Sequence, residues 1–160
     1  MRRLNAGIAV AGVAAVTAYA SGAALQILVL DPRAAAPTRT LAEIHADMAA
    51  AGESPGTVAV LVSLGLGVAL SILLAVLAAR RPDATPRALA SAFLGMVALG
   101  APAYFVASFG PGMALADTHL ISGGDHTPWG LALYAVSLVA VGGLAAIAVT
   151  SAARRASVPA

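Results

Sequence analysis

The sequence predicts an all-α fold, an integral membrane bundle of four helices. Hydrophobic residues make up 60% of the 160 residues and charged residues only 10%, and the mean hydropathy is +0.91. A soluble domain carries about a quarter charged residues, so a water-soluble fold is disfavoured. Four uncharged stretches are long enough to cross a bilayer, which takes about 20 helical residues. They cover residues 6–30, 57–79, 88–109 and 129–150.

Three of these spans are preceded by a hydroxyl residue and a proline. The pairs are Ser54-Pro55, Thr85-Pro86 and Thr127-Pro128. A hydroxyl can cap free backbone N–H groups, and proline fits the first helical turn because no N–H partner is needed there. The pairs therefore predict where these three helices begin.

The first span also resembles a signal peptide. Arg2 and Arg3 precede an apolar stretch, and Ala18-Tyr19-Ala20 fits a small-residue cleavage site. The apolar run continues to Leu30, however, and is longer than the short apolar core of a signal peptide. We therefore expect the span to be retained, and cleavage after Ala20 is the alternative.

Arginine predicts the orientation, because cytoplasmic segments of membrane proteins carry the excess of basic residues. In a four-span arrangement only Arg33 and Arg39 lie on one side. The other seven lie opposite: Arg2, Arg3, Arg80, Arg81, Arg87, Arg154 and Arg155. Both termini and the 80–87 turn are then cytoplasmic, and loops 31–56 and 110–128 face outward. The chain is predicted to be one domain, 1–160, in the cell membrane, and its alanine- and arginine-rich, lysine-free composition favours a bacterial source.

The first outer loop contains a helix signal. Thr40 followed by Glu43 forms a capping box, and Gly52 is a natural stop. An apolar stripe made by Leu41, Ile44, Met48 and Ala51 predicts a short amphipathic helix that rests on the bundle or on the membrane.

Proline and small residues shape the predicted spans. Pro102 is expected to kink the third span, and Gly110-Pro111-Gly112 is expected to end it. Small residues recur every four positions, a spacing that lets helix backbones approach closely within the bundle or across a seam with a second chain. They are Ala14, Ala18 and Gly22 in the first span and Ser63, Gly67, Ser71 and Ala75 in the second.

The stretch MALADTHLISGGDHTPWG, residues 113–130, holds two aspartates and two of the three histidines. If 113–121 is helical, Asp117 and His119 are about 200° apart, and if it is extended they share a face. A zinc site usually needs three or more ligands. An outward-facing metal or small-ligand site, or an enzymatic one, would draw on His45, Asp117, His119, Asp125 and His126.

The spans and loops also limit the function. No ionisable residue lies inside a predicted span, which argues against an ion-coupled carrier, although a channel lined by polar residues is a third alternative. Nucleic acid is not expected, because the basic residues lie in pairs at span ends. No cofactor is predicted apart from the metal considered above.

The leading hypothesis is an accessory or scaffold protein whose outer loops contact a membrane or extracytoplasmic partner, or a second copy of the chain. The outward-facing ligand site is the alternative.

Overall fold

The computed structural model describes residues 2–81 and 83–156. This part of the chain consists of helices joined by turns and loops, and it contains no strand. The helices, joined by a π-helical turn at Gln26–Leu30 (the π turn), follow in this order: α1 Arg2–Leu25, α2 Asp31–Ala35, α3 Leu41–Ala50, α4 Thr57–Arg80, α5 Pro86–Ala98, α6 Gly100–His119 and α7 Trp129–Ala156.

Four helical stretches are long and apolar enough to cross a membrane, as predicted. They are Arg3–Ala35, Thr57–Arg80, Pro86–His119 and Trp129–Arg154. The first joins α1, the π turn and α2, and the third joins α5 and α6. Both are longer than the uncharged stretches of the sequence, and the added residues carry polar groups.

Helix α1 packs mainly against α4 and α5, and α5 in turn packs against α7. The main core contains Tyr19, Ala23 and Ile27 from the first stretch together with residues of α4 and α6. A second, smaller core joins α3 to the far end of α6 through Ile44, Met48, Ala114 and Leu115, with Ala36 beside them. We call this end of the bundle, formed by residues 31–56 and 120–128, the loop end.

The predicted helix starts have different structures. Thr85 caps α5 by accepting a hydrogen bond of 3.2 Å from the Ala88 N–H, and Pro86 occupies the first turn. Ser54 accepts a hydrogen bond from the Gly56 N–H, and α4 begins after Gly56, which is left-handed at φ 60°. Thr40 and Glu43 form a complete capping box at the start of α3.

The expected end of the third span at Gly110-Pro111-Gly112 is wrong. Helix α6 continues through Pro111 to His119. Proline removes one helical hydrogen bond, but Ala114 and Leu115 beyond it are buried against Ile44 and Met48. Burial of this apolar face against α3 stabilises the continued helix and overrides the local breaker signal.

The expected start of the first loop at residue 31 is also wrong, because α2 continues the helical path to Ala35. Pro32 does not end the helical stretch. Proline is tolerated in a first helical turn, and Pro32 occupies that position in α2. In a regular helix its ring would clash with the carbonyl of Leu28, and the wider π turn before it relieves that conflict.

The third stretch is interrupted at Leu99, between α5 and α6. This break lies three residues before Pro102, whose missing N–H leaves the Ala98 carbonyl without its helical partner. The Ser137 hydroxyl on α7 donates to the adjacent Val97 carbonyl at 2.9 Å. A neighbouring helix therefore supplies a polar partner at the break, as is common for proline-containing helices in membranes.

The small residues singled out from the sequence are packed unevenly. Ser71 is fully buried and donates to the Val68 carbonyl, and Gly22 lies near Leu133. Ala14 and Ala18 are exposed and line an open groove between α1 and α4 together with Ala75.

Candidate functional site

The π turn places Gln26 and Asp31 on one face of the first helical stretch. Residues five apart in a regular α-helix point about 140° away from each other. Here the Asp31 N–H bonds the Gln26 carbonyl, so one residue stacks above the other. Both side chains are buried, with 1% and 7% of their surface exposed. Single π turns inside α-helices occur frequently at functional sites.

The segment 120–128 folds back over this pair. Helix α6 ends at His119. The next residue, Leu120, is left-handed with φ 54°, and the chain reverses there. The His126 N–H donates to Asp31 Oδ1 at 2.5 Å, and His126 Nδ1 lies 3.4 Å from Asp31 Oδ2. The Thr127 hydroxyl donates to Gln26 Oε1 at 2.7 Å. Three contacts to the first stretch thus fix the returning segment.

Asp125 is held by the third and fourth stretches. The fully buried Tyr104 donates its hydroxyl to Asp125 Oδ1 at 2.8 Å, and the Tyr134 ring meets the Tyr104 ring edge-on, with centroids 5.5 Å apart. The carboxylate lies against Gly130 in the first turn of α7. A helix N-terminus favours negative charge, so the first turn of α7 is a suitable neighbour for an acidic side chain.

These groups border a cleft at the loop end, with a volume of about 170 Å³, which we call the loop-end cleft. The carboxylates of Asp31 and Asp125 line it. Polar and apolar surface contribute about equally to the lining, and three aromatic side chains belong to it: Phe105, Phe109 and Tyr134. No basic side chain belongs to this described lining.

The surrounding segments are acidic as well. Residues 31–56 and 110–128 hold six carboxylates and two arginines, a net charge of −4. One of those arginines, Arg39, pairs with Asp47 at 3.4 Å. The potential near the cleft is therefore negative, which raises the local concentration of cations.

The structure brings together two of the five residues singled out from the sequence. Asp125 and His126 belong to the cleft and its border. His45, Asp117 and His119 do not line the cleft. Because 113–119 is helical, Asp117 and His119 point in different directions: Asp117 is exposed, and His119 has its Nε2 buried without a hydrogen-bond partner. Across residues 2–81 and 83–156, no group of three or more histidine and carboxylate side chains could hold a metal ion.

Three polar residues of the cluster did not stand out in the sequence: Gln26, Asp31 and Tyr104. Thr127 stood out only as a helix cap, whereas its hydroxyl bonds Gln26. Gln26 and Tyr104 look like ordinary polar residues within spans, and Asp31 looks like the first residue of a loop. The one available signal was Pro32 directly after Asp31, a residue that disturbs the preceding helical turn. Nothing in the apolar pattern says that the disturbance takes the form of a π turn.

The cleft combines negative charge with aromatic side chains. Two carboxylates and three aromatic residues line it, and both kinds of group can attract a positively charged group. Asp31 also holds His126, through the short bond to its backbone N–H and a longer contact of 3.4 Å to its Nδ1. The hydroxyl of Ser108, which lines the cleft, is occupied by a hydrogen bond to the Phe105 carbonyl at 3.2 Å.

The comparisons with known proteins found no matching family model, no similar curated protein and no similar solved structure.

Proposed function

We propose that this chain is a small multi-pass protein of the cell membrane that binds a small ligand in an outward-facing cleft. The observation that carries the proposal is the loop-end cleft itself. It combines a volume of about 170 Å³ with aromatic side chains and polar groups that meet from several helices. Concave sites where a few polar groups converge are the usual places for a ligand.

Long-range hydrogen bonds at the border of the cleft support a binding role. The hydrogen bonds that border it join residues 95, 101 and 21 positions apart in sequence, namely Asp31 with His126, Gln26 with Thr127 and Tyr104 with Asp125. A site that is ordered before the ligand arrives loses less entropy on binding. These three contacts hold the returning segment in place without a ligand.

The outward orientation follows from charge. Seven of the nine arginines lie at the end opposite to the loops, and an excess of arginine favours the cytoplasmic side. The cleft then faces the cell exterior or the periplasm. It can meet an external molecule or the outer leaflet of the membrane.

Cysteine labelling tests this proposal, because the chain has no native cysteine. Ser108→Cys places a thiol in the cleft, and Ser122→Cys places one on the exposed part of the returning segment outside the lining. We expect an impermeant maleimide to label both thiols in intact cells. A panel of small cations, neutral molecules and anions is then added at millimolar concentration. At least one class should slow labelling at position 108 and leave position 122 unchanged. If no class slows labelling at 108, or if intact cells are not labelled, the proposal fails.

A second candidate is the accessory protein predicted from the sequence. The observation that favours it is the groove between α1 and α4, about 690 Å³ in volume, which is lined by Ala14, Ala18 and Ala75. Such small side chains allow close approach of another transmembrane helix. This candidate places the partner contact in the membrane, in addition to the outer loops.

In-cell photo-crosslinking separates the two candidates. A photoreactive residue at Ala14 lies in the groove, and one at Leu131 lies on an exposed face of α7 outside it. An accessory protein should give a crosslinked product of discrete mass from position 14 and none from position 131. Lipid adducts alone at both positions would remove this candidate.

A further inference from the structure

We infer that the ligand of the loop-end cleft is a small organic cation carrying an alkylammonium group. This inference rests on the proposed binding function and names the class of its ligand. Three features of the cleft lead to it: its charge, its aromatic walls and its size.

The charge of the cleft is negative and incompletely balanced. Asp125 accepts a hydrogen bond from neutral Tyr104 and has no cationic partner among the residues that the structure describes. Asp31 faces His126, which is charged only when protonated. Asp31 is buried, and a buried carboxylate is costly unless a cation or enough hydrogen-bond donors accompany it. Asp125 is exposed, so its charge remains accessible to a ligand. A bound cation would complete the pairing of both acids.

The aromatic walls distinguish an organic cation from a metal ion. Calcium takes six to eight oxygen ligands, and magnesium keeps most of its water. This cleft offers two carboxylates, and among the described residues no group of three histidine or acidic side chains could hold a metal ion. Aromatic faces attract alkylammonium groups, most strongly where water is excluded. Phe105 and Phe109 form a tilted pair with ring centroids 6.2 Å apart, and Tyr134 lies beside the acids.

The size of the cleft limits the cation to a few heavy atoms. Its volume of about 170 Å³ is close to the roughly 150 Å³ of an engineered cavity that takes benzene. Choline and ethanolamine are in this range. The side chains of Phe105 and Phe109 are 57% and 61% exposed, so the wall they form extends to the outer surface of the helices. The alkylammonium group can therefore belong to a free amine or to the headgroup of a zwitterionic phospholipid.

The test measures protection of the Ser108→Cys thiol in full-length protein, reconstituted in nanodiscs of phosphatidylglycerol, which carries no ammonium group. The probes are choline, ethanolamine, the uncharged choline isostere 3,3-dimethylbutan-1-ol, and acetate. We expect the two cations to slow labelling at least fivefold and the other two to leave it unchanged. Equal protection by the uncharged isostere, or protection by acetate alone, would overturn the cationic class while leaving a binding function in place. No protection by any probe contradicts both proposals.

Variants identify the groups responsible. Asp125→Asn and Asp31→Asn should each weaken choline protection roughly tenfold or more, because each removes a charge-assisted contact. Asp117→Asn removes an exposed carboxylate outside the cleft and is the matched control, with less than a twofold effect expected. Phe109→Leu alters only an exposed side chain and should weaken choline several-fold, so the test does not depend on variants that also remove a structural hydrogen bond. Unchanged choline protection in Phe109→Leu and in both aspartate variants would overturn the proposal.

A second set of nanodiscs distinguishes the two sources of the ammonium group. If the ligand is a lipid headgroup, nanodiscs containing phosphatidylethanolamine should protect position 108 before any probe is added, and free choline should add little. If the ligand is a free amine, labelling without a probe should be equally fast in both lipids. In either case Asp125→Asn should remove the protection, and persistence of protection in that variant would contradict a cationic ligand.

Discussion

Gly130 shows how closely single residues are fitted around the cleft. A Cβ at this position would overlap Asp125 Oδ2, lie 2.7 Å from Asp125 Cγ and lie 3.0 Å from Tyr104 Oη. Glycine is therefore required if Asp125 is to reach both the Tyr104 hydroxyl and the first turn of α7. The requirement comes from the space around the residue, since Gly130 has no left-handed backbone conformation.

We expect Gly130→Ala to lower the free energy of unfolding by about 1–3 kcal/mol, the usual effect of overpacking a filled site. Gly142→Ala on the same helix is the control, because nothing lies within 4 Å of a Cβ there. The control should be neutral or slightly more stable, since alanine favours helix over glycine. Thermal unfolding in detergent, followed by circular dichroism, measures the difference. Equal midpoints for the two variants would mean that Asp125 does not lie against α7.

Thr40 and Glu43 make a prediction about pH. Hydrogen bonds from the Thr40 backbone N–H, at 2.7 Å, and from its hydroxyl, at 2.8 Å, lower the pKa of the Glu43 carboxyl below its ordinary value of 4.5. A lowered pKa stabilises the folded helix above the ordinary value, and the stabilisation is lost as the pH falls through the folded-state pKa. Hydrogen-exchange protection of the α3 amides should therefore decline below about pH 4.5. In Glu43→Gln the protection should not change over this range, and an equal decline in that variant would exclude Glu43 as its cause.

At the same scale, the sequence identified some residues of the cleft and not others. Asp125 and His126 stand out because they are polar residues crowded into a short segment between apolar ones. Asp31 and Gln26 meet only because the π turn adds one residue to a helical turn. That geometry depends on Pro32 and on packing with the returning segment. The periodicity of apolar residues along a helix predicts neither of these effects.

At the scale of the elements, the sequence predicted the four apolar helices and missed how far two of them extend. Apolar length is a local property, so the spans are readable from composition. The continuation of α6 past Pro111 depends on Ile44 and Met48 of α3, more than 60 residues away in sequence. Local breaker signals report the preference of the isolated chain, and burial of an apolar face can exceed that preference.

The contact between α1 and α5 provides a prediction at this scale. Gly12 lies directly against the buried ring of Phe93, and a Cβ there would overlap the ring. Gly12→Ala should separate the two helices and lower the free energy of unfolding by about 1–3 kcal/mol. Gly7→Ala is the control on the same helix, since nothing lies within 4 Å of a Cβ at that position. If both variants unfold at the wild-type temperature, this helix contact is not present in the protein.

Considered as a whole, the molecule separates its charges along the bundle. Residues 31–56 and 110–128 carry a net charge of −4, and the remainder of the chain carries the excess of arginine. This asymmetry is the argument for an outward-facing cleft, because segments rich in arginine favour the cytoplasmic side of a membrane. The same asymmetry would guide an external cation toward the cleft.

Single cysteines at Ala50, Ala84 and Ser157 test the orientation of the whole chain. With both termini and the 80–87 turn in the cytoplasm, an impermeant maleimide added to intact cells should label position 50 only. Permeabilised cells should give labelling at all three positions, which controls for thiols that are present but unreactive. Labelling at 157 in sealed cells would reverse the predicted orientation.

A mature N-terminus at Ser21 would instead mean that the first span is cleaved. Tyr19, which packs against Gly100 and lies 3.3 Å from the Ser137 hydroxyl, would then be lost from the core. Gln26 and Asp31 would remain in the chain, but without the helix that positions them beneath His126 and Thr127.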